Sequence, residues 1–147
     1  MSSRGAAVRG VEATGFVQFP KVVDPRGVLC FVEGGNHIGF DIARVYYIYG
    51  VPAGGERAGH AHKTLQQLFV AVSGSFDLVL DDGRNTRVVT LGDPSAGYYV
   101  CAGLWRVLRN FQPGSACLVL ASERYSENDY IRDYQAFREF AEDFWWR

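Results

Sequence analysis

Two histidines spaced two residues apart, His60 and His62 in the run Gly59-His-Ala-His-Lys63, are the residues of this chain best suited to chemistry. In an extended segment, side chains at i and i+2 share one face, and the two alpha carbons stand roughly 6.5 Å apart. Both rings then reach one small molecule or one metal ion. A neutral imidazole has an ordinary pKa of about 6.5, so it can take and return a proton at cellular pH, and it is also a common metal ligand. The remaining histidine, His37, lies outside any ligand-like spacing with the pair. The residues therefore pose a choice between holding a metal and moving protons.

The spacing continues on both sides: Gly54, five residues, His60, one residue, His62, four residues, Gln67, six residues, Gly74. This resembles the first cupin motif, with Gln67 where that motif has a glutamate. Gly97 and Asn110 look like the ends of the second cupin motif, in which Arg106 takes the place of the histidine. The two departures remove an anionic ligand and one imidazole from a four-ligand site and put a permanent cation there instead. A guanidinium repels a divalent ion, and two neutral imidazoles alone hold one weakly. The expectation is no metal and no cofactor, with the pair free for acid–base work.

The elements that must position these residues read as strands. Short β-rich segments recur between glycine, proline and aspartate punctuation, the rhythm of an antiparallel sandwich or barrel. Strands are predicted at 28–33, 43–49, 58–64, 67–73, 75–80, 86–91, 98–101, 105–109 and 116–121. Asp81-Asp82-Gly83 signals a tight hairpin, because Asp and Gly tolerate positive φ. From Ser126 onward Ile131, Tyr134, Phe137, Phe140 and Phe144 recur at three- and four-residue steps, predicting an amphipathic helix over about 127–144. The expected fold class is all-β, a cupin jelly-roll (double-stranded β-helix) sandwich with a short C-terminal helix, forming a single domain over 1–147.

Composition narrows the partners. With 147 residues, 48% of them hydrophobic, the chain can bury a real core. The formal charge of −1 gives no general reason to expect nucleic acid. Of 15 cationic side chains only Lys21 and Lys63 are lysines, and arginine suits two-pronged binding of phosphate. Cys30, Cys101 and Cys117 form no zinc pattern and read as reduced thiols. No apolar stretch approaches the ~20 residues of a membrane span, and the start Met-Ser-Ser-Arg-Gly-Ala-Ala lacks a signal-peptide core. A cytoplasmic protein without a membrane partner is expected.

A narrower resemblance covers almost the whole chain. Asp24-Pro-Arg-Gly27, Arg44-Val-Tyr-Tyr-Ile48, Arg57-Ala-Gly-His-Ala-His-Lys63, Leu80-Asp-Asp-Gly83, Leu120-Ala-Ser-Glu-Arg-Tyr125 and Asp129-Tyr-Ile-Arg132 resemble the sugar-nucleotide 3,4-ketoisomerases of the FdtA and QdtA, or WxcM-like, type. The resemblance implies a small jelly-roll enzyme, a homodimer with exchanged N-terminal strands, acting on dTDP-4-keto-6-deoxy-D-glucose. It also implies a reaction, without metal or organic cofactor, that moves the ketone from carbon 4 to carbon 3 in deoxyamino-sugar biosynthesis. His60 would be the base, with His62 beside it moving protons between the two oxygens or holding the enediol. Where many relatives read Trp-His-Glu, this chain reads Trp105-Arg106-Val107.

A diphosphate and a thymine ring call for arginine and an aromatic platform. Arg26 and Arg57, both close to glycines, are the phosphate candidates. Tyr46 and Tyr47 alternate along one strand, so only one faces the pocket; Tyr47 is carried as the candidate. Tyr99 and Trp105 are placed in the sugar pocket or, equally, in the core. Arg106 would hold a sugar oxygen or a phosphate, and Lys63 and Gln67 complete the substrate-binding set. Rival functions are a metal-free 3,5-epimerase using a His–Asp pair and a tyrosine acid, a set the sequence does not place; an iron-dependent oxygenase; and a non-catalytic sugar-nucleotide-binding cupin.

Overall fold

Alternation with period two decides which side of each strand is buried. In the segment Phe76–Asp81, for example, Phe76, Leu78 and Leu80 are buried, while the intervening Asp77, Val79 and Asp81 are only partly covered. The computed structural model describes residues 7–147. In chain order the strands are β1 (Gly15–Gln18), β2 (Lys21–Asp24), β3 (Gly27–Cys30), β4 (Arg44–Tyr49), β5 (Arg57–His62) and β6 (Gln67–Ser73). They continue as β7 (Phe76–Asp81), β8 (Thr86–Leu91), β9 (Ala96–Val100), β10 (Trp105–Arg109), β11 (Ala116–Ala121) and β12 (Tyr130–Ile131), followed by the helix α1 (Tyr134–Ala141).

Two five-stranded sheets form, in the orders β1-β9-β6-β11-β4 and β12-β5-β10-β7-β8, and every pairing within them is antiparallel. The chain crosses from one sheet to the other between β4 and β5, between β5 and β6, and again between β6 and β7, which is the winding of a jelly roll. Phe69, Val119 and Tyr98 from the first sheet meet Leu78, Leu80 and Leu108 from the second to make the main core. The outer face of the first sheet is covered by Phe19, Ile38 and Phe40, packed on Leu68, Val70 and Leu120. The outer face of β5 and β12 is covered by α1, with Phe137 and Ala141 against Ala61 and Ile131.

Left-handed backbone closes the turns at Gly74 and Asn110, among others. Gly74, between β6 and β7, has φ +66, and a Cβ there would lie 2.7 Å from the Ser115 alpha carbon. Asn110, at the end of β10, has φ 56, a conformation that asparagine tolerates better than most residues.

The N-terminal part differs from expectation. The strand predicted at 28–33 is shorter, and it pairs with β2, which the sequence did not signal. Together they make a separate two-stranded ribbon. The predicted helix over 127–144 is also corrected. Glu127–Asp129 is a single 3-10 turn, Tyr130–Ile131 pairs with β5, and α1 begins only at Tyr134, where the Asp133 side chain accepts from the Ala136 amide at 2.8 Å. Ile131 fitted the helical period because it and Phe137 meet in one apolar cluster from different elements. Glu142–Trp146 then continue as a π-helical turn.

Phe137 is fully buried between Trp105 and Tyr134, with ring centroids 5.7 and 5.8 Å away. Replacing Phe137 with Ala is expected to lower unfolding free energy by about 3–5 kcal/mol, read from the urea midpoint.

Candidate active site

The two histidines share a face by their two-residue spacing, and a bulge just before them brings Arg57 to the same side. Along β5 and β10 the register runs Trp105 to Ala61 and Arg106 to His60, then jumps so that Val107 faces Ala58. Gly59 is the extra residue, with φ +110, the conformation a bulge position asks of glycine. Arg106 therefore lies directly across from His60 on the inward face, and on the other side of β5 Tyr130 lies across from His62.

His60, Arg106 and Tyr130 form one wall of a cavity of about 490 Å³, whose lining also includes Arg44, Tyr46, Arg57 and Arg132. The apolar Ile48, Phe69 and Leu108 line it as well. Among the predicted residues, His60, Arg57 and Arg106 are thus brought together at the cavity.

His62 is fully buried behind His60. Its Nε2 is 3.1 Å from His60 Nε2, and its Nδ1 is 2.9 Å from Asp129 Oδ2. Asp129 Oδ1 accepts from the Thr64 amide at 2.8 Å and lies 2.9 Å from the Thr64 hydroxyl. With both ring nitrogens engaged inside the protein, His62 has none to offer two substrate oxygens. The Tyr130 ring packs on both imidazoles, at 4.9 and 4.4 Å, and Arg132 sits over its other side at 4.2 Å. Arg132 is in turn held by Glu127, Nε to Oε1 at 2.7 Å.

Gln67 ties the cationic part of the site together. Its Oε1 accepts from Arg106 Nη1, and its Nε2 donates to the Tyr46 hydroxyl at 2.8 Å. A glutamate at this position could accept from Arg106 but could not donate to the tyrosine. Arg106, 1% exposed, also donates to the Leu104 carbonyl at 3.0 Å. Its Nε, like that of Arg44, is buried without a protein partner among the described residues.

Electrostatics follow from this arrangement. Burial first, then the charge of Arg106, push His60 down from 6.5 to about 3 and His62 to about 4; for His62 the Asp129 carboxylate opposes the fall. Burial works to raise Asp129, but hydrogen bonds from the Thr64 hydroxyl and amide and from His62 outweigh it and hold the carboxyl below its ordinary value. Burial lowers Arg106 to about 10, which leaves it cationic at neutral pH. Burial raises Tyr46, so its hydroxyl keeps its proton.

The donor set does not suit the metal that the first cupin motif would hold. Gln67 is committed to Arg106 and Tyr46, a guanidinium occupies the place of the third imidazole, and among the described residues no three His, Cys, Asp or Glu side chains are arranged to hold a metal ion.

Five predicted substrate contacts lie elsewhere. Tyr47 has the opposite parity to the cavity residues of β4; it is 67% exposed and stacked on Tyr49, so Tyr46 is the tyrosine that faces inward. Trp105 is one residue out of phase with Arg106 and packs under α1. Tyr99 stands on the outer face of the first sheet, donating to Gln66 Oε1 at 2.6 Å. Arg26 is exposed at the β2–β3 turn and ion-paired with Asp24 at 2.7 Å. Lys63 is exposed just past β5, outside the cavity lining.

Arg44, Tyr46, Asp129, Tyr130 and Arg132 were not assigned to the site from sequence. For β4 the signal was the two-residue step Arg44, Tyr46, Ile48. For the others it was Asp129-Tyr-Ile-Arg132 read as strand instead of helix. The structure also supplies the His–Asp pair that the sequence did not place.

Known proteins resemble this chain in sequence and in fold. Residues 12–142 match the family model described as FdtA: WxcM-like, C-terminal. A TDP-4-oxo-6-deoxy-alpha-D-glucose-3,4-oxoisomerase from Aneurinibacillus thermoaerophilus is 40% identical over 124 residues, covering 84% of this chain and 89% of the relative. An asparagine-for-histidine mutant of the 3,4-ketoisomerase QdtA from Thermoanaerobacterium thermosaccharolyticum, crystallised with TDP-4-keto-6-deoxyglucose, is 37% identical with a TM-score of 0.87 over 88% of this chain and 94% of the other. A 3,4-ketoisomerase from Helicobacter canadensis is 41% identical with a TM-score of 0.86, covering 88% and 98%.

The lowered histidines fix the sign of two pH effects. Between about pH 6.5 and 4 the unfolded chain binds protons that the folded one refuses, so the stability these rings give is present above that window and lost as pH falls through it. In an NMR titration both rings are expected to stay neutral at pH 5, and Arg106→Gln to move His60 back toward 6.5. Titration of His60 near 6.5 in the wild type would contradict this account.

Proposed function

Because this chain belongs to the FdtA family of WxcM-like proteins, we propose that it is an isomerase that converts TDP-4-keto-6-deoxyglucose to the 3-keto sugar. The observation that carries the reading is His60 on the cavity wall, backed by His62 and surrounded by the guanidinium groups of Arg44, Arg57, Arg106 and Arg132. A neutral base in a cationic pocket suits removal of a proton next to a carbonyl, because the arginines stabilise the negative charge that develops on oxygen.

In this reaction His60 takes the proton from carbon 3 while the carbon 4 oxygen gains one, giving an enediol. The carbon 3 hydroxyl then loses its proton to become the ketone, and His60 returns a proton to carbon 4. No oxidant or reductant is consumed. Tyr46 serves the oxygens: its hydroxyl accepts from Gln67 and keeps its own proton for the cavity. Arg57 and Arg44 take the diphosphate. The unpartnered Nε groups of Arg44 and Arg106 support ligand acceptors at those points, since a buried donor left unpaired costs about 1–3 kcal/mol. A bound diphosphate also offsets part of the positive field that depresses His60, making the base stronger with substrate in place.

The partner is a second copy of the chain. The β2–β3 ribbon exposes Val22, Val23, Val28 and Leu29, and β4 ends the first sheet with Val45, Tyr47 and Tyr49 exposed beside an open edge. An isolated two-stranded ribbon is marginal in water, and an open edge invites another strand. The ribbon from one copy laid on β4 of another supplies both needs, whereas β1 pairs with β9 of its own chain. No described helix is long and apolar enough to cross a membrane, and a nucleotide-linked substrate supports a cytoplasmic location.

In heavy water the protein is expected to move the ketone and leave deuterium on the sugar ring. His60→Asn should lose about 10²–10⁴-fold in kcat while still binding TDP. Absence of both exchange and a new ketone with the wild type would leave only a binding module. Light scattering should give twice the 16.4 kDa chain mass, and the pair V23E and V28E should yield monomer.

A further inference from the structure

His60 has two ring nitrogens, and the structure decides which of them faces the reaction. Asp129 is ionised, so its Oδ2 only accepts, and the hydrogen bond of 2.9 Å to His62 puts the His62 proton on Nδ1. Neutral His62 then has a lone pair on Nε2. The 3.1 Å contact with His60 Nε2 is a hydrogen bond only if His60 donates there. The remaining atom, His60 Nδ1, carries the lone pair, and among the described residues it has no protein partner on the cavity wall that His60 forms. The Tyr130 ring, packed on both imidazoles, opposes the rotation that would exchange the two nitrogens.

We propose that Asp129 is a positioning residue that acts through His62 to hold the His60 proton on Nε2, leaving Nδ1 as the base atom. This rests on the isomerase reading given above. When Nδ1 takes the carbon 3 proton, His60 becomes an imidazolium whose charge is met through His62 by the Asp129 carboxylate. A proton then returns from Nδ1 to carbon 4, and the relay itself passes none.

The environment of Asp129 makes the proposal sharply testable. The Thr64 amide can only donate, and it is aimed at Oδ1 from 2.8 Å. In Asp129→Asn the side-chain oxygen must therefore stay toward Thr64, and the NH2 group must face His62 Nδ1. That nitrogen becomes an acceptor, the His62 proton moves to Nε2 and is donated to His60 Nε2, and the His60 proton is driven to Nδ1. A nearly isosteric change two residues removed from the substrate thus caps the base.

The test is nitrogen-15 NMR of histidine-labelled protein, with kinetics on the keto sugar. In the wild type His60 Nδ1 should resonate as a pyridine-type nitrogen and Nε2 as a pyrrole-type one; in Asp129→Asn the two should exchange. The variant should lose about 10²–10⁴-fold in kcat, with KM and TDP binding little changed. A wild-type spectrum with the pyridine-type signal at His60 Nε2 overturns the proposal whether or not the variant folds, as does a variant with exchanged signals and undiminished kcat. A wild type with the expected spectrum but no turnover upholds the proton placement and overturns the isomerase reading instead.

Discussion

A permanent positive charge at the centre of the sandwich is the constraint to which the rest of the site answers. Arg106 is almost completely buried, and burying an unpaired charge costs several kcal/mol or more. No carboxylate pairs with it within 4 Å among the described residues; neutral oxygens from Gln67, Leu104 and Cys101 accept its protons instead. That choice keeps the net charge positive. It accounts for an amide at position 67, adds to burial in depressing the basicity of both histidines, and leaves a donor set unsuited to a divalent ion. It also makes the cavity ready for an anion.

The second requirement is that one strand serve two layers. In β5 the inward residues His60 and His62 belong to the chemistry, while Ala61 between them lies in the apolar contact under α1. Its neighbours divide in the same way: Arg106 and Tyr130 point inward, Trp105 and Ile131 outward. The helix does not touch the cavity, yet it holds β12 against β5 and so holds Tyr130 and Asp129 beside the imidazoles. Without the bulge at Gly59, the residues before it would take the opposite faces.

Most of the β-body was legible because alternation and turn residues are local signals. From β4 to β11 every predicted strand is found, and the spacing of His60, His62, Gln67 and Gly74 marked the right wall. What failed was information that only packing supplies. Tyr46 and Tyr47 are equivalent in composition, and parity against the core selects the first. Trp105 and Tyr99 are aromatic and semi-buried like pocket residues, but each lies on the wrong side of its sheet. The segment from Glu127 to Ile131 carries acids followed by an apolar residue in step with a real helix, so its three-residue rhythm outweighed the two-residue one. The ribbon of β2 and β3 was hard to read because its valines and leucine alternate against no core within the chain.

The pairing of β12 with β5 has a consequence for how this protein becomes active. Asp129 and His62 are 67 positions apart, and contacts that distant in sequence close slowly because a long loop must first be organised. All the strands of the two sheets except β12 can pair before Asp129 docks behind His62. A chain at that stage has its imidazoles in place but no carboxylate behind them. Fraying of β12 from β5 in the folded protein returns it to the same state, so catalytic competence should fade before the sandwich melts.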